Sequence, residues 1–205
     1  MSAIDEIIVR EYLEQHGFLV SQNRKYVVSA REKTPVEEID LIAVNPHTAP
    51  NAAPANFVLS PADLALIPRA IVSVRGWHTE PFAPSVLTSA PDIFRFIEPQ
   101  ALHAAEKLLG KDGRIFKLLV VPALPATKST RERSVELLKS KGVDGVVSFR
   151  AILEDLIRGV ETNRNYQKSD LLQILRLLKN YGLLKEPQLE LFKPARKSKR
   201  RAQSP

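Results

Sequence analysis

The chain has 205 residues, 44% hydrophobic and 26% charged, a balance that excludes a disordered chain or a fibre and suits one domain with appendages. With no cysteine, disulfides, thiolate zinc sites, iron–sulfur clusters and cysteine nucleophiles are excluded. Of the net charge of +7, six positive charges lie in the last thirteen residues, on Lys193, Arg196, Lys197, Lys199, Arg200 and Arg201, which leaves +1 for residues 1–192.

The basicity therefore marks a cationic arm and not a basic body. Such an arm is either a solvated terminus or a source of salt-sensitive phosphate contacts. The apolar stretches are interrupted by Lys117 or by proline before they reach bilayer-spanning length. Met1 to Glu6 carries two acids and no basic residue, unlike a secretory signal. A soluble, intracellular, cytoplasmic protein without a membrane partner is expected.

In chain order, Ser2 to Gly17 reads as a helix. Ser2 caps it, Asp5 completes a variant capping box, and Gly17 ends it. Helical spacing groups Ile4, Ile7 and Ile8 on one stripe, which predicts that they face the core with Glu11 inside the same stripe. A carboxylate there either snorkels to the helix edge or faces a polar cleft. Phe18 to Val28 reads as a strand with a turn near Asn23. Glu37 to Val44 is a second strand, whose alternation puts Asp40, Ile42 and Val44 on one face. Arg69 to Arg75 is a third, with Ile71, Ser73 and Arg75 sharing a face.

Between the second and third strands, His47 to Pro68 is rich in alanine and, with Pro46, holds five of the fifteen prolines. It reads as an insertion with one short helix started by Ser60-Pro61. Further on, Pro99 to Leu109 is helical, Ile115 to Val121 a strand, Thr130 to Lys141 a helix and Val143 to Phe149 a strand. Helices over Ala151 to Val160 and Ser169 to Tyr181 follow. Leu171, Leu172, Leu175, Leu178, Leu183 and Leu184 form an apolar stripe, expected to dock on the body or to join two copies; Arg176 and Lys179 beside it suit a DNA-binding appendage as the alternative. Strands separated by helices predict an α/β core with a mixed sheet. Three regions result: an α/β domain over 1–160 with its 46–68 insertion, a helical appendage over 161–192 and a basic tail over 193–205.

The helix bearing Glu11, the strand Glu38-Ile39-Asp40-Leu41-Ile42 and the strand Ile71-Val72-Ser73-Val74-Arg75 resemble the restriction-endonuclease-like, or PD-(D/E)XK, nuclease superfamily. The resemblance covers roughly the first 120 residues. It implies an αβββαβ core with a mixed central sheet flanked by helices. It also implies a site where an aspartate and a second acid bind Mg²⁺ or Mn²⁺, a lysine acts on the attacking water, and a helical glutamate assists the metal. Glu11 and Asp40 match that pattern and would be its metal ligands. Ser73 stands in the place of the second acid, and Arg75 in the place of the lysine.

Both departures weaken the site. Serine removes a negative charge, and arginine stays protonated and can occupy the cation's place beside the carboxylates. The resemblance then implies a degenerate nuclease fold, with no cofactor expected, that binds nucleic acid, DNA foremost, or serves as a scaffold, and that forms a homodimer as its relatives often do. Three alternatives stay open. An acid that has migrated, from Glu37, Glu38, Glu80 or Glu98, would restore a metal-dependent deoxyribonuclease. A protein-interaction module would have lost nucleic acid altogether. Asp40 and Arg75 would form a buried ion pair of purely structural value.

Past Arg75 comes Gly76-Trp77-His78, with the only tryptophan. Trp77 either stacks on a base, with His78 touching phosphate, or packs the Pro81 to Pro84 loop onto the core. The remaining histidines, His16, His47 and His103, lack ligand spacing, and no glycine-rich phosphate loop occurs. Lys128, Arg131 and Arg133 open a helix that either holds a phosphate or presents a solvated face.

Overall fold

The computed structural model describes residues 3–22, 38–110 and 113–184. Two compact units divide it, Met1–Gly159 and Val160–Pro205. The first is an α/β unit around a five-stranded mixed sheet of order β1-β2-β3-β4-β5. The strands are β1 (Leu19–Gln22), β2 (Leu41–Val44), β3 (Arg69–Val74), β4 (Phe116–Val121) and β5 (Gly145–Ser148). β1, β2 and β3 form an antiparallel meander, and β4 and β5 continue it in parallel. Parallel neighbours need crossovers, and helices supply them.

Helix α1 (Ala3–Gln15) precedes the sheet, and α2 (Pro61–Leu64) lies in the insertion. The β3–β4 crossover holds α3 (Pro84–Ser89), a 3-10 helix (Pro91–Ile97) and α4 (Pro99–Leu109). The next crossover is α5 (Lys128–Ser140), and α6 (Phe149–Gly159) closes the unit. Sequence patterning anticipates α4 at its observed bounds but misses α3 and the 3-10 helix. All three begin with a proline in the first turn, where no amide hydrogen is needed. The final strand stops at Ser148, one residue short of its expected end. The Ser148 hydroxyl accepts the Ala151 amide, and that turns the chain into α6 at Phe149.

One sheet face carries Ile42, Ile71, Leu119, Val121 and Val146 into a cluster with Phe82, Leu87, Phe96, Ala105 and Leu138. Alternation sends Val72, Val74, Leu118, Val120 and Val147 to the other face, where α1 and α6 pack against each other and against the sheet.

The insertion also has a structural duty. Leu59 donates its amide to the Val146 carbonyl and Phe57 accepts the Val146 amide, which pairs residues 57–59 along the outer edge of β5. An open edge is an aggregation hazard, and this segment covers it.

The face expected for α1 is corrected. Ile4 is 59% exposed and Ile7 36%, whereas Asp5, Val9, Tyr12 and Leu13 are buried. Asp5, Val9 and Tyr12 follow i, i+4, i+7 spacing, so a stripe headed by an acid faces inward. The first strand is described only to Gln22; its expected continuation to Val28 lies outside the described residues. In the second unit, α7 (Asp170–Asn180) is capped by the Ser169 hydroxyl, which accepts the Leu172 amide. Leu172 and Leu175 are buried, and Ile174, Leu177, Tyr181 and Leu183 are exposed.

Candidate functional site

Asp40 precedes β2 at a bend, and Ser73 and Arg75 lie at the carboxyl end of β3. The Asp40 amide donates to the Val72 carbonyl at 3.1 Å, which holds the two chains in register. One oxygen of Asp40, Oδ2, then accepts three hydrogen bonds: from the Ser73 hydroxyl at 3.1 Å, the Val74 amide at 2.8 Å and Arg75 Nη1 at 3.1 Å. Arg75 also donates to the Val74 carbonyl at 3.0 Å. Asp40 and Ser73 are buried, and the Arg75 side chain is only 11% exposed. The carboxylate therefore replaces a backbone acceptor in the β2–β3 ladder while it neutralises a guanidinium.

Glu11 does not join this group. It is buried on α1 with its carboxylate 3.6 Å from Arg10 Nη2, and it forms no ion pair with Arg75. Ser73 shares the sheet face of Ile71 and Leu119, the face opposite α1. Among the described residues, no three of histidine, aspartate and glutamate converge as a metal ion needs. The donor set does not fit Mg²⁺, which prefers several oxygen ligands in octahedral order. Here the buried Asp40 carboxylate is matched by an arginine, and the neighbouring position offers a neutral hydroxyl.

The acids weighed as replacements are dispersed. Glu38 lies 3.8 Å from Arg95, Glu80 is exposed past β3, Glu98 is exposed at the start of α4, and Glu37 lies outside the described residues.

A second constellation follows Arg75, and its key acid was assigned only to a helix cap from sequence. Asp5 is 4% exposed, and its Oδ1 lies 3.2 Å from His78 Nε2. A Cβ on Gly76 would collide with the Asp5 carboxylate, so glycine is what lets the turn pass under α1. The His78 ring meets Phe149 edge-on, with centroids 4.8 Å apart. Trp77 lies 5.5 Å from Phe82, a buried residue of the Pro81–Pro84 loop, and stays 39% exposed. The signals in the sequence were a glycine directly before the Trp-His pair and an acid at helical spacing from Val9 and Tyr12.

His78 borders a cleft of about 580 Å³ at the carboxyl ends of β3 and β4, closed on one side by α6. Open α/β sheets place ligands at this end of their strands. No protein-family model, curated protein or solved structure matches this chain.

The other candidates have separate surroundings. Arg131 donates to the Pro125 and Ala126 carbonyls, which ties it to the loop before α5. Lys128 pairs with Glu132, both highly exposed. Arg176 and Lys179 donate to the Thr162 and Val160 carbonyls within the second unit. The basic tail, with Lys193, Arg196, Lys197, Lys199, Arg200 and Arg201, lies outside the described residues. No helix among the described residues is long and apolar enough to cross a membrane.

Proposed function

We propose that this chain is a restriction-endonuclease-like domain with a degenerate active site, which binds nucleic acid without efficient cleavage. The observation that carries this reading is the Arg75 guanidinium 3.1 Å from Asp40, beside a serine where the superfamily places an acid. A cation at that point would have to displace an arginine that is already hydrogen-bonded, and it would find one carboxylate where two are needed. The antiparallel meander followed by a parallel strand, with α1 ahead of it, is compatible with the αβββαβ order. On this reading Trp77 offers a partly exposed ring for a base, and the tail supplies phosphate contacts.

The test is a cleavage assay on plasmid and single-stranded DNA with Mn²⁺, run beside Asp40→Asn. Blanks from both proteins, together with DNA binding by the parent, are expected. Cleavage that disappears in Asp40→Asn would mean a working site with a relocated acid. If all six tail charges engage duplex DNA, log affinity falls against log salt with a slope of up to about −5. Removing residues from Lys193 onward should flatten that slope.

A second reading, a protein-interaction module or homodimer, draws on the exposed apolar stripe of Ile174, Leu177 and Tyr181 on α7 and its end. It gains if residues 1–192 ignore DNA at low salt.

A further inference from the structure

We propose that the cleft at the carboxyl ends of β3 and β4 is a nucleobase subsite that prefers bases bearing an exocyclic amino group; this rests on the nucleic-acid reading above. Its volume of about 580 Å³ falls within the range of roughly 300–1,000 Å³ common for small-molecule sites. Pro81, Pro122, Phe149, Leu153 and Ile157 supply apolar walls suited to the faces of a flat ring. The polar groups are His78, Glu80, Arg150 and Glu154, with Thr79 between the first two.

Charge decides which part of a nucleotide enters. Arg150 Nε is 2.7 Å from Glu154 Oε1, so the cleft's arginine is already paired. Glu80 has no hydrogen-bond or ionic partner among the described residues. Asp5 adds a further carboxylate behind His78. A phosphate placed here would face an unmatched carboxylate, a repulsion that grows where the walls exclude water. The neutral base has no such penalty.

A carboxylate accepts hydrogen bonds and donates none, so Glu80 fits an amino group and repels a keto oxygen. Cytosine presents an amino group at the position where uracil presents a carbonyl. Asp5 engages Nε2 of His78 and so fixes the imidazole at the cleft mouth. Asp5 is thus a positioning residue for His78.

The test is fluorescence anisotropy at neutral pH with labelled oligodeoxycytidylate and oligodeoxyuridylate of equal length, against the full chain and its Glu80→Gln variant. Glu80 is exposed, so the variant keeps the fold. The parent should favour the cytidylate on the order of tenfold, the scale of one good base-edge contact. Glu80→Gln should abolish that preference and hold or raise affinity for the uridylate, because an amide can donate to the keto oxygen. Equal affinity of the parent for both strands, or preference for the uridylate, overturns the inference and leaves the nucleic-acid reading standing. Binding of neither strand overturns the nucleic-acid reading itself, and the inference with it.

Discussion

The Arg75 guanidinium and the Asp40 carboxylate lie 3.1 Å apart inside the sheet, and the same carboxylate oxygen also accepts the Val74 amide. Asp40 is therefore a structural acceptor as well as a charge partner. Asp40→Ala removes the acceptor of the Val74 amide and the carboxylate facing a largely buried guanidinium, and should cost about 3–5 kcal/mol. Asp40→Asn keeps an acceptor oxygen and should cost less. Urea unfolding midpoints measure both; a loss below about 1 kcal/mol for Asp40→Ala would show that the pair is not holding β2 to β3.

Gly76→Ala tests the crossing of the turn under α1. Its new Cβ meets the Asp5 carboxylate, so either α1 shifts or the Asp5–His78 contact breaks. Overpacking of this kind costs about 1–3 kcal/mol. In the double variant with Asp5→Ala the extra methyl has room, so the two effects should be less than additive. Strict additivity would separate Gly76 from Asp5.

Tyr12 is 1% exposed, and its hydroxyl has no hydrogen-bond partner among the described residues. Tyr12→Phe removes a buried polar atom without leaving a hole, and should be neutral or stabilising by up to about 1 kcal/mol. Burial pushes the Tyr12 phenol well above its ordinary value, and the nearby Asp155 carboxylate pushes it further. A raised acid keeps its contribution below the unfolded value near 10 and loses it as pH rises, because the unfolded phenol ionises first. The parent should lose stability above about pH 10 faster than Tyr12→Phe does. Parallel alkaline curves would contradict this.

Asp63 and Ser60 form a reciprocal cap on α2. The Asp63 carboxylate accepts the Ser60 amide at 2.9 Å and its hydroxyl at 2.6 Å, and also the Asn56 amide group at 3.1 Å. The Ser60 hydrogen bonds hold the Asp63 pKa below its ordinary value, against the effect of burial. A depressed carboxylate contributes at neutral pH and loses that contribution as pH falls through its folded value, below about 4. Ser60→Ala should cost about 1 kcal/mol at neutral pH. The stability gap between the parent and Asp63→Asn should hold from neutral pH to about 5 and close below about 4. A gap that persists in acid would mean that the cap works through packing alone.

Local chemistry made much of this chain legible. Ser60-Pro61 announced α2, Pro99 to Leu109 read directly as α4, and the apolar run from Arg69 formed β3. Such signals act over a few residues, through caps, proline geometry and period-2 burial. The core face of α1 was misjudged because its isoleucines outweighed Asp5 in any hydrophobic pattern. Periodicity counts apolar residues, and an acid faces inward only when a distant group receives it.

By itself the sequence determined the α/β class, the position of the insertion and the absence of thiol chemistry, and it offered the pairing of Asp40 with Arg75 as one alternative among several. The tertiary structure alone decided that Asp40 accepts from Ser73, Val74 and Arg75, that residues 57–59 cover the edge of β5, and that Asp5 reaches His78. Those three relationships join residues far apart in the chain. Their energies come from sheet order and crossover direction, and these exist only once the strands have paired.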